Sequence, residues 1–373
     1  MKKTLVLMLA MTAVHQLTNA QNKVKLINPD TLVQRLGQQH IKQAGAGLSV
    51  GLLYNGKFYT YNFGSIEKGK GIPPTENTLF ELGSITKTFI SYLLAKAVID
   101  KKAGMDDDVR KYVDGKYPNL ECQGHPITLK ELANTTSGLP DNVPALPSGI
   151  KSLTGDSLWF AAETFYENVT SKDFFEALHS VKLDTVPGFK ARHSNAGSQL
   201  LAYALEKIYH ASYEELVDRY IFKPLHMDHT LFLAAKAGSP ALAKGYNKQG
   251  TQMPYFKESA YSGSAGISSC TEDMLNYLRF QLDKQDLAVR LTHEKTVSID
   301  VYGIALNWFI YRYDDGYSQT WMDGSTLGFY NFIIFYPELD MGIVLLGNKA
   351  DEQTYGRLAR FADQIFNAMK PKK

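Results

Sequence analysis

The chain has 373 residues, of which 44% are hydrophobic and 21% charged, and its formal net charge is +2. This length is enough for one large domain or two with a substantial core, and the composition is typical of a soluble globular protein. Because the net charge is small and the basic residues are dispersed, we expect neither a nucleic-acid partner nor binding to an anionic membrane surface.

The first twenty residues have the pattern of a signal peptide. Lys2-Lys3 is a basic start, residues 5–14 form an apolar segment too short to span a bilayer, and Thr18-Asn19-Ala20 fits a cleavage site before Gln21. We therefore predict an exported protein, periplasmic or secreted, whose mature part is one domain over 21–373. No later segment is long and apolar enough for a transmembrane helix.

A helix and a hairpin are predicted next. Apolar residues recur at helical spacing over 30–44. Asn55-Gly56 then separates two apolar runs, which is the strongest short signal for a β-hairpin.

Ser84 and Lys87 stand at the start of a helix predicted over 85–101 and ending near Gly104. Residues three apart share one face of a helix, so the hydroxyl and the amine are neighbours. The hydroxyl lies in the field of unsatisfied backbone N–H groups, and a partly desolvated amine can take its proton. The pattern is that of a Ser-Lys hydrolase, although an N-cap serine followed by an exposed lysine has the same spacing. Ser65–Lys68 and Ser148–Lys151 repeat it, and we predict both as solvated loops.

The middle of the chain is predicted to be mainly helical, with one irregular stretch. Residues 141–170 contain two prolines, two glycines and three serines, and we predict a substrate-lining loop there. Residues 261–268 are small and glycine-rich, which suits close backbone packing near a site. The predicted helices cover 128–133, 196–209, 213–221 and 271–282.

Strand patterns dominate the end of the chain before a closing helix. The predicted strands cover 302–313, 319–322, 331–336 and 341–346, and the helix covers 351–369. We therefore predict a mixed α/β (α+β) fold, with an α/β part over about 24–83 and 250–373 and an inserted, mostly helical part over about 84–249.

The two cysteines, Cys122 and Cys270, are predicted to be buried free thiols, although an exported protein could form a disulfide. No Cys/His cluster has the spacing of a zinc site, and nothing in the sequence requires a cofactor or a metal.

Five segments in order resemble the class C β-lactamase and penicillin-binding serine hydrolase family. Residues 80–89 (FELGSITKTF) are similar to its active-site segment, and residues 187–197 (PGFKARHSNAG) to the segment that carries a Tyr-x-Asn motif. Residues 321–329 (WMDGSTLGF) fall where the family has a Lys-Thr-Gly or His-x-Gly strand. Residues 132–141 and a later pair, 221–227 with 264–269, are similar to further landmarks. The resemblance covers roughly residues 30–370.

The resemblance implies an antiparallel sheet flanked by helices, an inserted helical subdomain, and acyl transfer through a covalent acyl-serine in the cleft between them. Ser84 would be the nucleophile and Lys87 its proton acceptor. Asn195 would orient Lys87 and contact the substrate. The backbone N–H groups of Ser84 and of Ser325, which follows Gly324, would bind the oxyanion.

This chain departs from the family pattern at two places. His193 stands where the family has Tyr, and because imidazole has a pKa near 6.5 against about 10 for phenol, His193 can be an unprotonated base at neutral pH. The alternative is that His193 only fills space. Residues 166–168 contain a literal Tyr-x-Asn, which we interpret as a chance match.

The second departure is Met322-Asp323 before Gly324, where the family has a cation that receives a substrate carboxylate. Met322 cannot bind a carboxylate, and Asp323 would repel one if it faced the site. Three hypotheses therefore stay open. The first is a hydrolase that acts on a β-lactam, a cell-wall peptide or another small amide or ester. The second is an esterase or transacylase that does not recognise β-lactams. The third is a catalytically weak binding protein.

Overall fold

The computed structural model describes residues 28–234, 238–257, 259–299 and 301–371. The predicted signal peptide lies outside these ranges. Within them, no helix is both long and apolar enough to cross a bilayer.

The strands and helices alternate along the chain, with strands concentrated near both ends. In the described ranges the strands are β1 Leu48–Tyr54, β2 Lys57–Phe63, β3 Phe80–Glu81, β4 Glu121–Cys122, β5 His125–Pro126, β6 Leu231–Phe232, β7 Ile267–Ser269, β8 Val297–Ile299, β9 Tyr302–Ala305, β10 Trp308–Arg312, β11 Ser318–Ser325, β12 Tyr330–Tyr336 and β13 Met341–Gly347. The helices are α1 Asp30–Ala44, α2 Thr86–Ile99, α3 Leu129–Ala133, α4 Ser148–Lys151, α5 Gly155–Glu167, α6 Ser171–Leu178, α7 Asn195–Tyr209, α8 Tyr213–Val217, α9 Ser262–Ala265, α10 Thr271–Gln281, α11 Leu287–Thr292 and α12 Thr354–Met369.

The main sheet of the described chain is antiparallel and has eight strands in the order β2-β1-β13-β12-β11-β10-β9-β8. β13 is buried at every position, and its side chains alternate between two cores. Ile343 and Leu345 pack with α1 and α12 on one face, whereas Val344 and Leu346 pack with α2 and α10 on the other. The predicted α/β class with an antiparallel sheet between helices is confirmed; its division into two parts stays a prediction.

Most of the predicted elements are present. The helix over 30–44 is α1, and Asn55 and Gly56 have φ of 51° and 70° in the turn between β1 and β2. The helix predicted from Thr128 begins with that residue as its N-cap, in a capping box with Glu131. The predictions over 196–209 and 271–282 correspond to α7 and α10.

Two predictions about the course of the chain are wrong. Residues 141–170 are not irregular throughout, because they contain α4 and α5; α5 leaves Trp159 and Phe160 exposed, which obscures its helical pattern. The strand predicted over 302–313 is two strands, because Leu306 and Asn307 adopt φ of 45° and 68° and form a turn that pairs Ala305 with Trp308. The first of these two errors includes Ser148–Lys151, which we predict as a loop and which forms the short helix α4.

Both cysteines are free thiols, as predicted, but only one is buried. Burial raises the pKa of the Cys270 thiol to about 12. Cys122 is half-buried at the end of β4.

Candidate functional site

The Ser-Lys segment forms a tight turn between β3 and α2. β3 pairs with β7, and residues Gly83–Ile85 form a single 3₁₀ turn that continues into α2. Gly324 of β11 packs directly on this turn: a Cβ at its position would lie 2.1 Å from the Leu82 carbonyl oxygen and 2.8 Å from the Ser84 nitrogen. Since only a glycine permits this approach, the residue type at 324 sets the distance between Ser84 and β11.

Gly83 makes the complementary contact from the turn. Its φ is 58°, a left-handed conformation that favours glycine, and a Cβ there would lie 2.6 Å from the Ser325 nitrogen. The two glycines together place the backbone of Ser84 beside the backbone of Ser325.

Lys87 is the buried charged group at the centre of the site. Its side chain is 0% exposed, and its Nζ lies 2.8 Å from Ser84 Oγ, 2.9 Å from Asn195 Oδ1 and 3.0 Å from the Ser264 carbonyl oxygen. Burial lowers the pKa of Lys87 to about 7, against the opposing effect of nearby carboxylates. A neutral amine has two N–H donors for Asn195 and Ser264, which leaves its lone pair to accept from the Ser84 hydroxyl.

Asn195 reaches Lys87 from the first turn of α7. Ser194 caps this helix by accepting from the Gly197 N–H at 2.9 Å. The Asn195 Oδ1 accepts from Lys87, and its Nδ2 donates to Asn142 Oδ1 at 3.3 Å. Both ends of the amide are held, so the Asn195 Oδ1 is fixed beside the Lys87 amine.

His193 lies at the edge of the site, with its side chain 54% exposed. Its Nδ1 is 2.7 Å from Asp141 Oδ1. Partial burial opposes ionisation of Asp141, but His193 and the Asn195 N–H lower the pKa of that carboxyl. Within the described chain, the hydrogen-bond partner of His193 is therefore Asp141 rather than Ser84 or Lys87.

Met322 and Asp323 both border the site on β11. Met322 is 7% exposed, and Asp323 Oδ2 accepts from the Tyr330 hydroxyl at 2.7 Å. Burial raises the pKa of Asp323, while the Tyr330 hydrogen bond opposes the shift. The strand therefore has no cation at position 322, where the resemblance would place one, and it has the Asp323 carboxylate beside that position.

A cavity of about 270 Å³ joins these groups. Its lining includes most of the residues predicted for the site, whereas Asn195 contacts Lys87 behind the wall. The lining residues are Ser84, Lys87, Thr135, His193, Ile304, Asn307, Phe309, Met322, Asp323, Gly324 and Ser325.

Some members of the site could not be recognised from the sequence. Asp141 ends one of the quoted segments, but nothing along the chain indicates that it contacts His193. Asn307 reaches the cavity from the turn that interrupts the predicted strand. Tyr166, from the chance Tyr-x-Asn match, donates to the Pro144 carbonyl and lies outside the cavity lining. Within the described chain, no cluster of His, Cys, Asp or Glu could hold a metal ion.

Comparison with known proteins places the chain among proteins of one fold. A sequence model of the family described as Beta-lactamase matches residues 30–367. Protein flp of Staphylococcus aureus (strain MRSA252) is 27% identical over 356 residues, which cover 91% of this chain and 66% of that relative. A β-lactamase of Pseudomonas fluorescens is 25% identical over 358 residues, which cover 86% of this chain and 92% of the relative.

Solved structures show the same architecture. A class C β-lactamase at 24% identity has a TM-score of 0.78 and covers 94% of this chain and 99% of its own. A class C β-lactamase in complex with cefoxitin, also at 24% identity, has a TM-score of 0.75, covering 91% of this chain and 98% of its own. These structures confirm the fold. The chain spans slightly less than two thirds of the flp proteins that it matches.

Proposed function

The chain belongs to the Beta-lactamase family, and from this premise we propose that it is a serine hydrolase that cleaves an amide or ester through an acyl-enzyme on Ser84. The observation that carries the proposal is the fully buried Lys87 amine 2.8 Å from Ser84 Oγ. A lysine whose pKa is lowered to about 7 can accept the serine proton at neutral pH, which an exposed lysine cannot.

The proposed reaction has two halves. Lys87 accepts the Ser84 proton as Oγ attacks the substrate carbonyl, and the backbone N–H groups of Ser84 and Ser325 stabilise the oxyanion. Collapse of the tetrahedral intermediate breaks the bond to the leaving group, which takes the proton from Lys87. A water molecule then attacks the acyl-serine by the same proton route in reverse, and the acid is released with Ser84 restored.

His193 is proposed as a second proton carrier on the open side of the cavity. If its Nδ1–H donates to Asp141, the Nε2 is left as the acceptor, so the carboxylate fixes the tautomer as well as the ring orientation. Asp141 would then be a positioning residue.

The cavity favours a second candidate within this chemistry: an esterase or transacylase that does not recognise β-lactams. β-Lactams carry a carboxylate, and Met322 offers it no charge while Asp323 repels it. Hydrolysis of a neutral ester with little turnover of penicillin would support this narrower function.

Hydrolysis of phenyl acetate and of penicillin by the pure protein tests the proposal. We expect ester hydrolysis whose kcat/KM falls by at least about 10³-fold in Ser84→Ala. Ser148→Ala is the matched control, because Ser148 has the same spacing to a lysine but is exposed on α4. If neither substrate is hydrolysed or forms an adduct, the protein is a binding protein and the proposal is wrong.

Export is proposed from the sequence of residues 1–20, which has the three parts of a signal peptide. The periplasmic or secreted form is expected to begin at Gln21. An intact mass that retains residue 1 after export would contradict this.

A further inference from the structure

Asp323 and Asn307 line the cavity away from the Ser-Lys pair. Asp323 and Ser325 are two residues apart and lie on the same face of β11, about 7 Å from each other along the strand. A substrate whose carbonyl oxygen is bound at Ser325 therefore extends its next few atoms past the Asp323 carboxylate.

Asn307 lines the same cavity from the turn between β9 and β10. It is 4% exposed, and its Nδ2 donates to Ser91 Oγ at 2.9 Å and to the Lys87 carbonyl at 3.3 Å. Its Oδ1 has no hydrogen-bond partner among the described residues, but this oxygen is itself buried. Asn307 therefore offers an anionic substrate group neither a positive charge nor a free N–H donor.

The charges around the cavity also disfavour an anionic substrate group. Apart from His193, the basic side chain among the described lining residues is Lys87, whose amine already contacts three oxygen atoms of the protein. The charged groups that act on Asp323 are His193 and Lys87, and the Tyr330 hydroxyl donates a hydrogen bond to it. An anionic substrate group would therefore meet a carboxylate with no free cation, whereas a cationic group would gain a partner.

We propose that the substrate carries a positively charged nitrogen on the part that lies along β11, and that Asp323 selects it. This inference rests on the proposed hydrolase function and names its substrate class: amino-esters or amino-amides. Met322 has the complementary effect, because it stands where the family has a cation and so offers a substrate carboxylate no charge.

Two sets of esters test the charge preference. In one set, phenyl acetates carry a trimethylammonium, tert-butyl or carboxylate group at the meta position of the leaving group. In the other, the same three groups end the acyl chain of a phenyl ester. The trimethylammonium and tert-butyl groups have nearly the same shape, so their kcat/KM ratio within one protein reports the charge.

In the wild-type protein, one of the two sets is expected to favour the cation, and Asp323→Asn should reduce its cation-to-neutral ratio about tenfold. Comparing ratios between proteins cancels the different reactivities of the leaving groups. Asp314→Asn, at an exposed aspartate in the turn before β11, should leave the ratio unchanged. An unchanged ratio in Asp323→Asn for both sets, or a preference for the carboxylate, would overturn the inference. Absence of hydrolysis of every ester would instead reject the proposed function.

Discussion

The amine of Lys87 draws its reactivity from its surroundings rather than from the lysine itself. It is fully buried, and the groups around it come from four separate segments: the turn that carries Ser84, the α7 terminus at Asn195, the backbone at Ser264, and the carboxylates of Asp141 and Asp323. Burial disfavours the charged form more than those carboxylates favour it, so the pKa falls to about 7. The proposed base is thus a product of the fold.

The pH profile of ester hydrolysis follows from this shift. Because the protonated amine cannot accept the serine proton, kcat/KM should fall about tenfold per pH unit below about 7 and level off above it. Rates of phenyl acetate hydrolysis between pH 5 and 9 measure this acidic limb of the pH–rate profile. A flat profile across this range would contradict the role of Lys87.

The role of His193 is tested by its removal. We expect His193→Ala to slow acylation by about 10²-fold while the limb near pH 7 persists, because Lys87 still titrates. His193→Tyr, which restores the residue type of the family pattern, should recover part of the rate. His125→Ala, at an exposed histidine of β5, is the control. Unchanged acylation in His193→Ala, measured by stopped flow, would show that the ring only fills space.

At the scale of elements, the site depends on how closely β11 approaches the turn before α2. Neither element contains the whole site, and the contact between them is made of backbone on both sides. This contact leaves no room for a side chain at residue 324. The residue type at this position therefore controls the distance between the backbones of Ser84 and Ser325.

We therefore expect Gly324→Ala to lower the acylation rate strongly and the thermal midpoint of unfolding only slightly. Its Cβ would meet the Leu82 carbonyl at 2.1 Å, so the turn must move away from β11, and a shift of about 1 Å costs roughly 10²-fold in rate. Gly149→Ala, where no atom lies within 4 Å, is the matched control. The measurements are the acylation rate and the thermal midpoint; a wild-type acylation rate in Gly324→Ala would contradict the geometry.

Helix α5 contributes a pH-dependent part of the stability. Glu163 is 8% exposed, burial raises its pKa to about 7, and the Lys257 N–H donates to it at 3.3 Å. The folded state thus binds the proton more tightly than the unfolded state, so this contribution is full below about pH 4.5 and is lost as the pH rises to about 7.

Glu163→Gln should make the free energy of unfolding less dependent on pH between about 4.5 and 7, by about 1–3 kcal/mol. Urea unfolding at several pH values measures this. Glu81, whose pKa burial raises to about 8, adds a dependence of the same sign, so some slope should remain. Glu176→Gln, at an exposed position of α6, should keep the wild-type slope; an equal slope in Glu163→Gln would refute the assignment.

The elements differ in how far the sequence predicts them. β13 and α1 are predicted because their own residues decide their burial. The turn at Leu306-Asn307 is not, because a leucine with positive φ gives no local signal and is held by contacts elsewhere, such as the Leu306 N–H donating to Asn134. α5 is missed for a related reason, since its exposed aromatic residues do not follow a single apolar face.

For the whole molecule, the sheet acts as a wall between two cores, and the site lies at the side of β11 where α2, α7 and α9 converge. The family resemblance predicts Ser84, Lys87, Asn195 and Ser325 close together, and the structure brings them together. No pattern along the chain predicts the pairing of His193 with Asp141 or the buried, unpaired oxygen of Asn307. Both depend on contacts between segments that are distant in sequence.

The most direct test of Ser84 as the nucleophile is the intact mass of the pure protein after exposure to a fluorophosphonate probe. We expect one phosphonyl adduct in the wild-type protein, located on Ser84 by peptide mapping, and none in Ser84→Ala. Lys87→Met should suppress the adduct, whereas the exposed-serine variant Ser148→Ala should be labelled at the wild-type rate. An adduct that persists in Ser84→Ala, or an unlabelled wild-type protein, would contradict the assignment of Ser84 as the nucleophile.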